Sequence, residues 1–354
     1  MAKNLTISLD AMGGDLGPAA VIPGAAMALE EKSNIEFLFF GDEAKIKPYM
    51  DQYPQLHGRA KIVHTSQSVS NEEKPSVALR SGRQSSMRLA IDSVKQGESQ
   101  GIVSSGNTGA LMAMAKMSLR CLPGIHRPAI ASVFPTVKKD IVMLDLGANL
   151  SCDAENLVHF AVLGALFAKV VCGTNNPSVG ILNVGSEEMK GHEQVRGAAA
   201  ILNNVKFPGT FYGFVEGNDV PMGTTDVVVT DGFTGNVALK VAEGVGHMTS
   251  TFLKEAFMSS PLAKLGGLLA YGALKRMKQR MDPKYYNGGM FLGLNGICVK
   301  SHGSMDDYGF SRAVLVAADL IENGYNDRVA DEISLLMEQE SFVSVIASQA
   351  EGGV

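Results

Sequence analysis

Five short segments of this chain gather glycine with residues that donate or accept hydrogen bonds: "DAMGGD" (10–15), "SSGNTG" (104–109), "DLGAN" (145–149), "NVGSEEMKG" (183–191) and "DGFTGN" (231–236). Such composition suits an anion. Glycine lets a ligand approach the backbone, N–H groups at a helix N-terminus carry partial positive charge, and Ser, Thr and Asn side chains add donors. Two segments echo each other, since Gly106-Asn107-Thr108-Gly109 and Gly232-Phe233-Thr234-Gly235 both spell G-x-T-G. The recurrence predicts two similar turns forming opposite walls of one anion pocket. Ser105, Gly106, Asn107, Thr108 and Gly109 would line one wall, and Asp231, Thr234, Gly235 and Asn236 the other. The plain alternative for the first turn is a tight strand-to-helix connection capped by Ser105 or Asn107.

Asp10 and Asp15 flank the Gly13–Gly14 pair and fit a base and its orienter, two cation ligands, or an Asx-type turn. Asp145 and Asp231 carry the same ambiguity. Four carboxylates around one anion would repel it, so some are expected to bond backbone N–H groups or basic side chains instead. Candidates to offset the anion's charge are Arg88 in "SSMR", Arg127 in "IHRPA", Lys190 in "EEMKG" and Lys300 in "KSHG". Each alone also reads as an ordinary surface charge. "KSHG" stands out because Lys300, Ser301 and His302 are compressed after an apolar run. His302 there suits a general acid, a phosphate donor or a structural histidine. Asn149 in "DLGAN" is a further binding candidate. The chain has no Walker A loop, G-x-G-x-x-G fingerprint, G-x-S-x-G elbow or H-E-x-x-H motif. No metal site or cofactor is read from it.

These segments need strands to deliver them. Short β-rich runs lie at 5–10, 35–41, 60–65, 101–105, 141–147, 178–185 and 225–232, with helical stretches between, which predicts a mostly parallel sheet covered by helices on both faces. "PAIASVFPT" and "DIVMLDLG", joined by "VKKD", predict a hairpin and so a mixed sheet. Ligands of such sheets collect beyond the carboxyl ends of the strands, where all five segments fall. "DPKYYNGGMFLGLNG" reads as a loop, and residues from about 305 to 339 as two amphipathic helices.

At 354 residues, 45% hydrophobic and 19% charged, the chain can bury a large core. No linker divides it, so one α/β body over 1–354 is expected. A net charge of −5 gives no global reason to bind nucleic acid. The four widely spaced cysteines suggest reduced thiols and a cytoplasmic setting. A strand beginning at residue 5 leaves no room for a cleaved signal, and "LVHFAVLGALFAKVVCG", interrupted by His159 and Lys169, reads as a buried helix.

The segment 261–281 departs from this composition. On a helical wheel Leu262, Leu265, Leu269, Ala273 and Met277 form an apolar stripe, Lys264, Tyr271, Lys275 and Lys278 fall opposite, and Arg276 and Arg280 edge the stripe. Gly266, Gly267 and Gly272 favour a bent or helix-turn-helix form. This basic segment fits an anionic bilayer surface, a second subunit, an acidic protein, or simply its own core.

Taken in order, "SLDAMGGDLGPAAVIPGA", "EKPSVALRSGRQSSMRLAI", "SSGNTGALMAMAK", "LDLGAN", "LNVGSEEMKG", "DVVVTDGFTGNVALK" and "VKSHGS" resemble the acyl-[acyl carrier protein]:phosphate acyltransferases of bacterial phospholipid synthesis. The resemblance spans residues 8–304. It implies a Rossmann-like three-layer α/β/α sandwich similar to phosphate acetyltransferases and isocitrate/isopropylmalate dehydrogenases, into which the residue pattern itself inserts a helical segment at about 250–285. It implies transfer of a long-chain acyl group from acyl carrier protein to inorganic phosphate, without a cofactor. It further implies a cytoplasmic homodimer that associates with the membrane and passes acyl phosphate to a membrane glycerol-3-phosphate acyltransferase. On this reading Asp10, Asp15, Asn107, Lys300 and His302 are catalytic candidates. Gly13, Gly14, Arg88, Ser105, Gly106, Thr108, Gly109, Asn149, Lys190, Asp231, Thr234, Gly235 and Asn236 would bind phosphate or the thioester. Lys264, Lys275, Arg276, Lys278 and Arg280 would meet carrier protein or membrane. Rival readings are an acyl-CoA-dependent phosphotransacetylase, an isocitrate-type dehydrogenase and a non-catalytic membrane scaffold.

Overall fold

The computed structural model describes residues 4–281, 288–340 and 342. Its first half runs β1 (Leu5–Asp10), α1 (Pro18–Glu31), β2 (Ile35–Gly41), α2 (Glu43–Met50), β3 (Ala60–His64), α3 (Pro75–Ser81), α4 (Ser86–Lys95), β4 (Gly101–Ser104) and α5 (Thr108–Leu119). The hairpin β5 (Ala129–Phe134) and β6 (Ile141–Leu144) follows, then α6 (Ala154–Val171), β7 (Ser178–Leu182), α7 (Glu193–Leu202), β8 (Thr210–Val215), α8 (Asp219–Met222) and β9 (Val227–Val229). The chain ends with α9 (Gly232–Met258), α10 (Pro261–Leu269), α11 (Tyr271–Met281), β10 (Gly289–Leu292), β11 (Ile297–Lys300), α12 (Asp307–Glu322) and α13 (Tyr325–Met337).

All strands join one 11-stranded sheet in the order β3-β2-β1-β4-β11-β10-β5-β6-β9-β7-β8. β3, β2, β1, β4 and β11 are mutually parallel, as are β6, β9, β7 and β8. Antiparallel pairings of β11 with β10, β10 with β5 and β5 with β6 separate the two blocks. Three reversals leave the blocks with opposite polarity. The expected hairpin and mixed sheet are present. The 288–296 stretch, expected as loop, instead supplies β10, whose Met290, Phe291 and Leu292 are fully buried. β8 was not among the expected strands.

Period-two alternation sorts the strand side chains to two faces. Leu5, Ile7 and Leu9 of β1, Val103 of β4, and Ile297 and Val299 of β11 join the core beneath α1, α6, α12 and α13. Ile102, Phe291 and Cys298 face the other way, onto α4 and α5. The result is three layers, α/β/α, as expected. Of the described helices, α6 alone has the length and apolar composition to cross a bilayer, and most of it is buried within this core.

α9 is one unbroken helix that starts at Gly232, well before the expected insertion at about 250. Only Gly232 and Gly235 of it are buried. α10 packs back on α9, and Ala270 separates it from α11, so 261–281 forms two helices as a helix-turn-helix reading expects, with the break at Ala270 rather than at a glycine. Leu262, Leu265, Leu268, Leu269, Tyr271 and Met277 are exposed there, beside exposed Lys264, Lys275 and Arg276. The side chains of Lys278 and Arg280 lie outside the described residues.

Candidate active site

The carboxyl ends of β1, β4 and β11 lie side by side. Leu9 is level with Val103, and Ser104 with Lys300, so Asp10, Ser104 and Lys300 form one row although they come from opposite ends of the chain. Asp10 is buried. Its Oδ1 accepts from Ser86 Oγ at 2.6 Å, and its Oδ2 accepts from Ser104 Oγ at 2.7 Å. Burial raises its carboxyl above the usual range, against the pull of those hydroxyls, the Met12 N–H and the Lys300 charge. Lys300 Nζ donates to the carbonyls of Ser105, at 3.1 Å, and Ser301. Burial pushes its pKa down to about 8, while the charges of Asp10 and Asp15 oppose the fall.

Glycines let the three strand ends touch. A Cβ on Gly13 would lie 2.6 Å from the Gly106 nitrogen and 2.7 Å from Asp10 Oδ2, and one on Gly14, at φ +81°, would lie 2.8 Å from Ser105 Oγ. Ser105 Oγ donates to the Gly13 carbonyl at 3.0 Å. The Asp15 N–H donates to the Gly303 carbonyl at 2.9 Å, and Asp15 Oδ1 accepts from Asn71 Nδ2 at 3.0 Å. His302 Nδ1 contacts Ser304 Oγ at 3.0 Å. Burial, then the charges of Lys300 and of Lys240 on α9, lower the His302 pKa; Glu243 and Asp15 act the other way. A lysine that titrates near neutral pH beside a buried carboxylate can both neutralise an anion and exchange a proton.

Other candidates have local partners. Asn107 is the N-cap of α5, accepting from the Ala110 N–H at 3.0 Å, which is the plain alternative raised for this turn. Gly109 allows Pro75 of α3 to approach, since a Cβ would meet its Cγ at 2.7 Å, and Thr108 is exposed on the first helical turn. Arg88 does not join the row. It is two residues from Ser86 and therefore on another face of α4, and its Nε pairs with Asp92 at 2.8 Å. Lys190 pairs with Glu187 within its own exposed loop, and Arg127 donates to the Ser151 carbonyl.

The second G-x-T-G turn belongs to a separate cluster at the ends of β6 and β9. Asp145 is its hub. Oδ1 accepts from the N–H groups of Ile130, Gly147 and Ala148, and Oδ2 from the N–H and side-chain amide of Asn149, all between 2.8 and 3.2 Å. Asn149 also donates to the Pro128 carbonyl. Asp231 caps α9, accepting from Thr234 N at 2.9 Å and Thr234 Oγ1 at 2.8 Å. A Cβ on Gly235 would lie 1.9 Å from the Asp145 carbonyl oxygen, so this glycine seats the helix on the hub. Asn236 lies beside Gly147. Asp145 and Asp231 are thus carboxylates held by N–H groups, as expected of some. The two turns end strands of opposite polarity, and each starts a different helix, α5 and α9. α9 starts in this second cluster and carries Lys240 and Glu243, whose charges act on His302.

Ser86, Ser104 and Asn71 were not among the sequence candidates, although "SSMR" and "SSG" contain the two serines. A serine at a helix start or strand end is ordinary, and only the fold reveals Asp10 between them.

The chain matches the family described as "Fatty acid synthesis protein" over residues 5–328. It is 56% identical to the phosphate acyltransferase of Paramagnetospirillum magneticum over 98% of this chain and 99% of that one. The phosphate acyltransferase of Rhodospirillum rubrum is 53% identical over 98% and 99% of the two chains. Among solved structures, a phosphotransacetylase from Streptococcus pyogenes superposes with TM-score 0.61 at 18% identity, covering 90% of this chain and 94% of that one. A branched-chain phosphotransacylase from Enterococcus faecalis gives 0.55 at 15%, covering 90% and 99%. These two share the fold, whereas the full-length identities carry the kinship: the chain belongs to the phosphate acyltransferase family, within fatty acid and phospholipid synthesis.

Proposed function

We propose that this chain transfers a long-chain acyl group from acyl carrier protein to inorganic phosphate, and that the Asp10–Lys300 row is where the transfer occurs. The observation that carries this reading is Lys300, a lysine with a pKa of about 8 fixed over two carbonyls beside a buried carboxylate. An ammonium has three donors, so two carbonyls leave one for an anion. A phosphate oxygen attacks the thioester carbonyl, a C–O bond forms, the C–S bond breaks, and the proton of hydrogen phosphate ends on the departing sulfur. Lys300 offsets the charge of the attacking anion. Asp10, held by two serine hydroxyls, orients Lys300 from within the row, and Asp15 with His302 lines its outer side. Phosphate attacks directly, so no enzyme nucleophile is required. Holding the two reactants in line lowers the entropic part of the barrier.

The whole chain acts as one catalytic domain, with α9–α11 as its contact module. Exposed apolar residues beside Lys264, Lys275 and Arg276 support a role for that module toward acidic carrier protein, the second subunit of a homodimer, or an anionic membrane surface. The acyl phosphate then passes to a membrane glycerol-3-phosphate acyltransferase, and the enzyme is cytoplasmic and peripherally membrane-associated. The test incubates the protein with long-chain acyl carrier protein, with and without phosphate, following free thiol and acyl phosphate together. Equal, phosphate-dependent appearance of both is expected. Thiol release without acyl phosphate would overturn the reading, and faster reaction of acyl-CoA at equal concentration would replace the carrier-protein donor.

A further inference from the structure

Asn107 makes more contacts than a cap requires. Its Oδ1 caps α5, while its Nδ2 points away from the helix and donates to the carbonyls of Ser70 at 3.3 Å, Asn71 at 2.9 Å and Glu73 at 2.8 Å. Three carbonyls converging on one nitrogen settle which end of the amide is which. Serine, threonine or aspartate would cap equally well, but none offers an amide N–H₂ to the opposite side. The residue type therefore answers to the 70–73 turn as well as to α5.

Val69, buried in the core beside α4 and α5, leads into that turn, and Ser81 Oγ of α3 donates to Glu73 Oε1 at 3.3 Å, while Asn107 is what grips its Ser70, Asn71 and Glu73 carbonyls from α5. Ser70, Asn71 and Glu72 are exposed, and the turn closes on itself through Glu73 N–H to the Ser70 carbonyl. From it Asn71 Nδ2 reaches Asp15 Oδ1 at 3.0 Å, and Asp15 is tied by its own N–H to Gly303 beside His302. A chain of contacts thus runs from the α5 cap, through the turn, to the outer side of the Lys300 row. We infer that Asn107 is a positioning residue that holds the 70–73 turn as a strap against the site, and through Asn71 keeps the Asp15 carboxylate in place. This rests on the reading of the Asp10–Lys300 row as the phosphate site.

Without the strap's anchor, only the fraction of molecules with the turn in place binds phosphate well, and the apparent affinity falls by that fraction while the saturated complex is unchanged. The variant to make is Asn107→Ser, which keeps a neutral cap and removes the amide donor. Its KM for phosphate should rise about tenfold, with kcat at saturating phosphate and KM for the acyl donor near those of the parent. Backbone hydrogen exchange across residues 66–74 should quicken, and saturating phosphate should slow it again. Asn71→Ala, which leaves α5 untouched, should raise the phosphate KM in the same direction and serves if Asn107→Ser does not fold. An unchanged phosphate KM in the folded variants, a loss confined to kcat, or unaltered exchange over 66–74 overturns the inference. Absence of phosphate-dependent transfer in the parent protein would instead refute the proposed function, and the exchange comparison would still report on the strap.

Discussion

Removing or replacing the Lys300 charge tests the site most directly. The site lowers this lysine from 10.5 to about 8, a displacement worth roughly 3 kcal/mol against the ammonium at 1.36 kcal/mol per unit. Even so, roughly nine in ten molecules keep the proton at pH 7, and roughly one in ten at pH 9. If the ammonium neutralises phosphate, kcat/KM for phosphate should fall about tenfold per unit above about pH 8. Phosphate stays dianionic across that window, so the fall belongs to the enzyme. Lys300→Arg keeps its charge throughout and should lose the alkaline fall, while Lys300→Met should lose about a hundredfold to a thousandfold at neutral pH. The assay is acyl phosphate formation from acyl carrier protein between about pH 6.5 and 9.5, with phosphate varied at each pH. A parent profile flat to the alkaline end, or Lys300→Arg falling at the same pH as the parent, would refute the reasoning. Stability follows the opposite sign. Between about 8 and 10.5 the unfolded chain binds more protons at this lysine, so its destabilising contribution, full below that window, fades as pH rises through it.

Asp10→Asn preserves the shape between Ser86 and Ser104 but removes the charge facing Lys300. Its turnover should drop about a hundredfold or more while the thermal midpoint stays within a few degrees of the parent's. Gly235→Ala forces a methyl into the Asp145 carbonyl and should cost at least about 3 kcal/mol in denaturant unfolding, with the loss of α9 docking visible as reduced cooperativity. Asp145→Asn turns an acceptor of five donors into one with an amide facing N–H groups, and should destabilise by about 3 kcal/mol or prevent folding. Exchanging Lys264, Lys275 and Arg276 together for serine should weaken capture of acyl carrier protein or of anionic vesicles and flatten its salt dependence; unchanged binding to both would make the cluster structural.

Much of the scaffold was legible before folding. Strands such as 5–10 and 35–41 announce themselves through short runs of Ile, Leu and Phe bounded by turn residues, and the hairpin around "VKKD" through two such runs with a polar centre. The segment 261–281 divides into two helices, as expected of a Gly-rich stretch, but at Ala270, while Gly266, Gly267 and Gly272 sit inside the helices. β10 was not legible: "GGMFLG" carries the glycines of a loop, and its strand state depends on β5 and β11 flanking it. Nor was the role of each polar residue. Asn107 and Asn149 have the chemistry to bind an anion, and Asp145 and Asp231 that of a base or cation ligand, yet the same oxygens and amides satisfy helix ends and loop N–H groups, and sequence cannot say which partner arrives first.

From the sequence alone came the family, the three-layer fold and the small polar strand ends, since these depend on local pattern and on ordered motifs along the chain. Tertiary structure decided which ends meet. Strand order sets residues 10, 104 and 300 in one row, and burial there brings Lys300 toward neutrality. Three antiparallel steps in the middle of the sheet reverse the second block, and the two turns with one spelling cap different helices, α5 and α9. Polarity and burial belong to the whole sheet, and neither is written in any single stretch of residues.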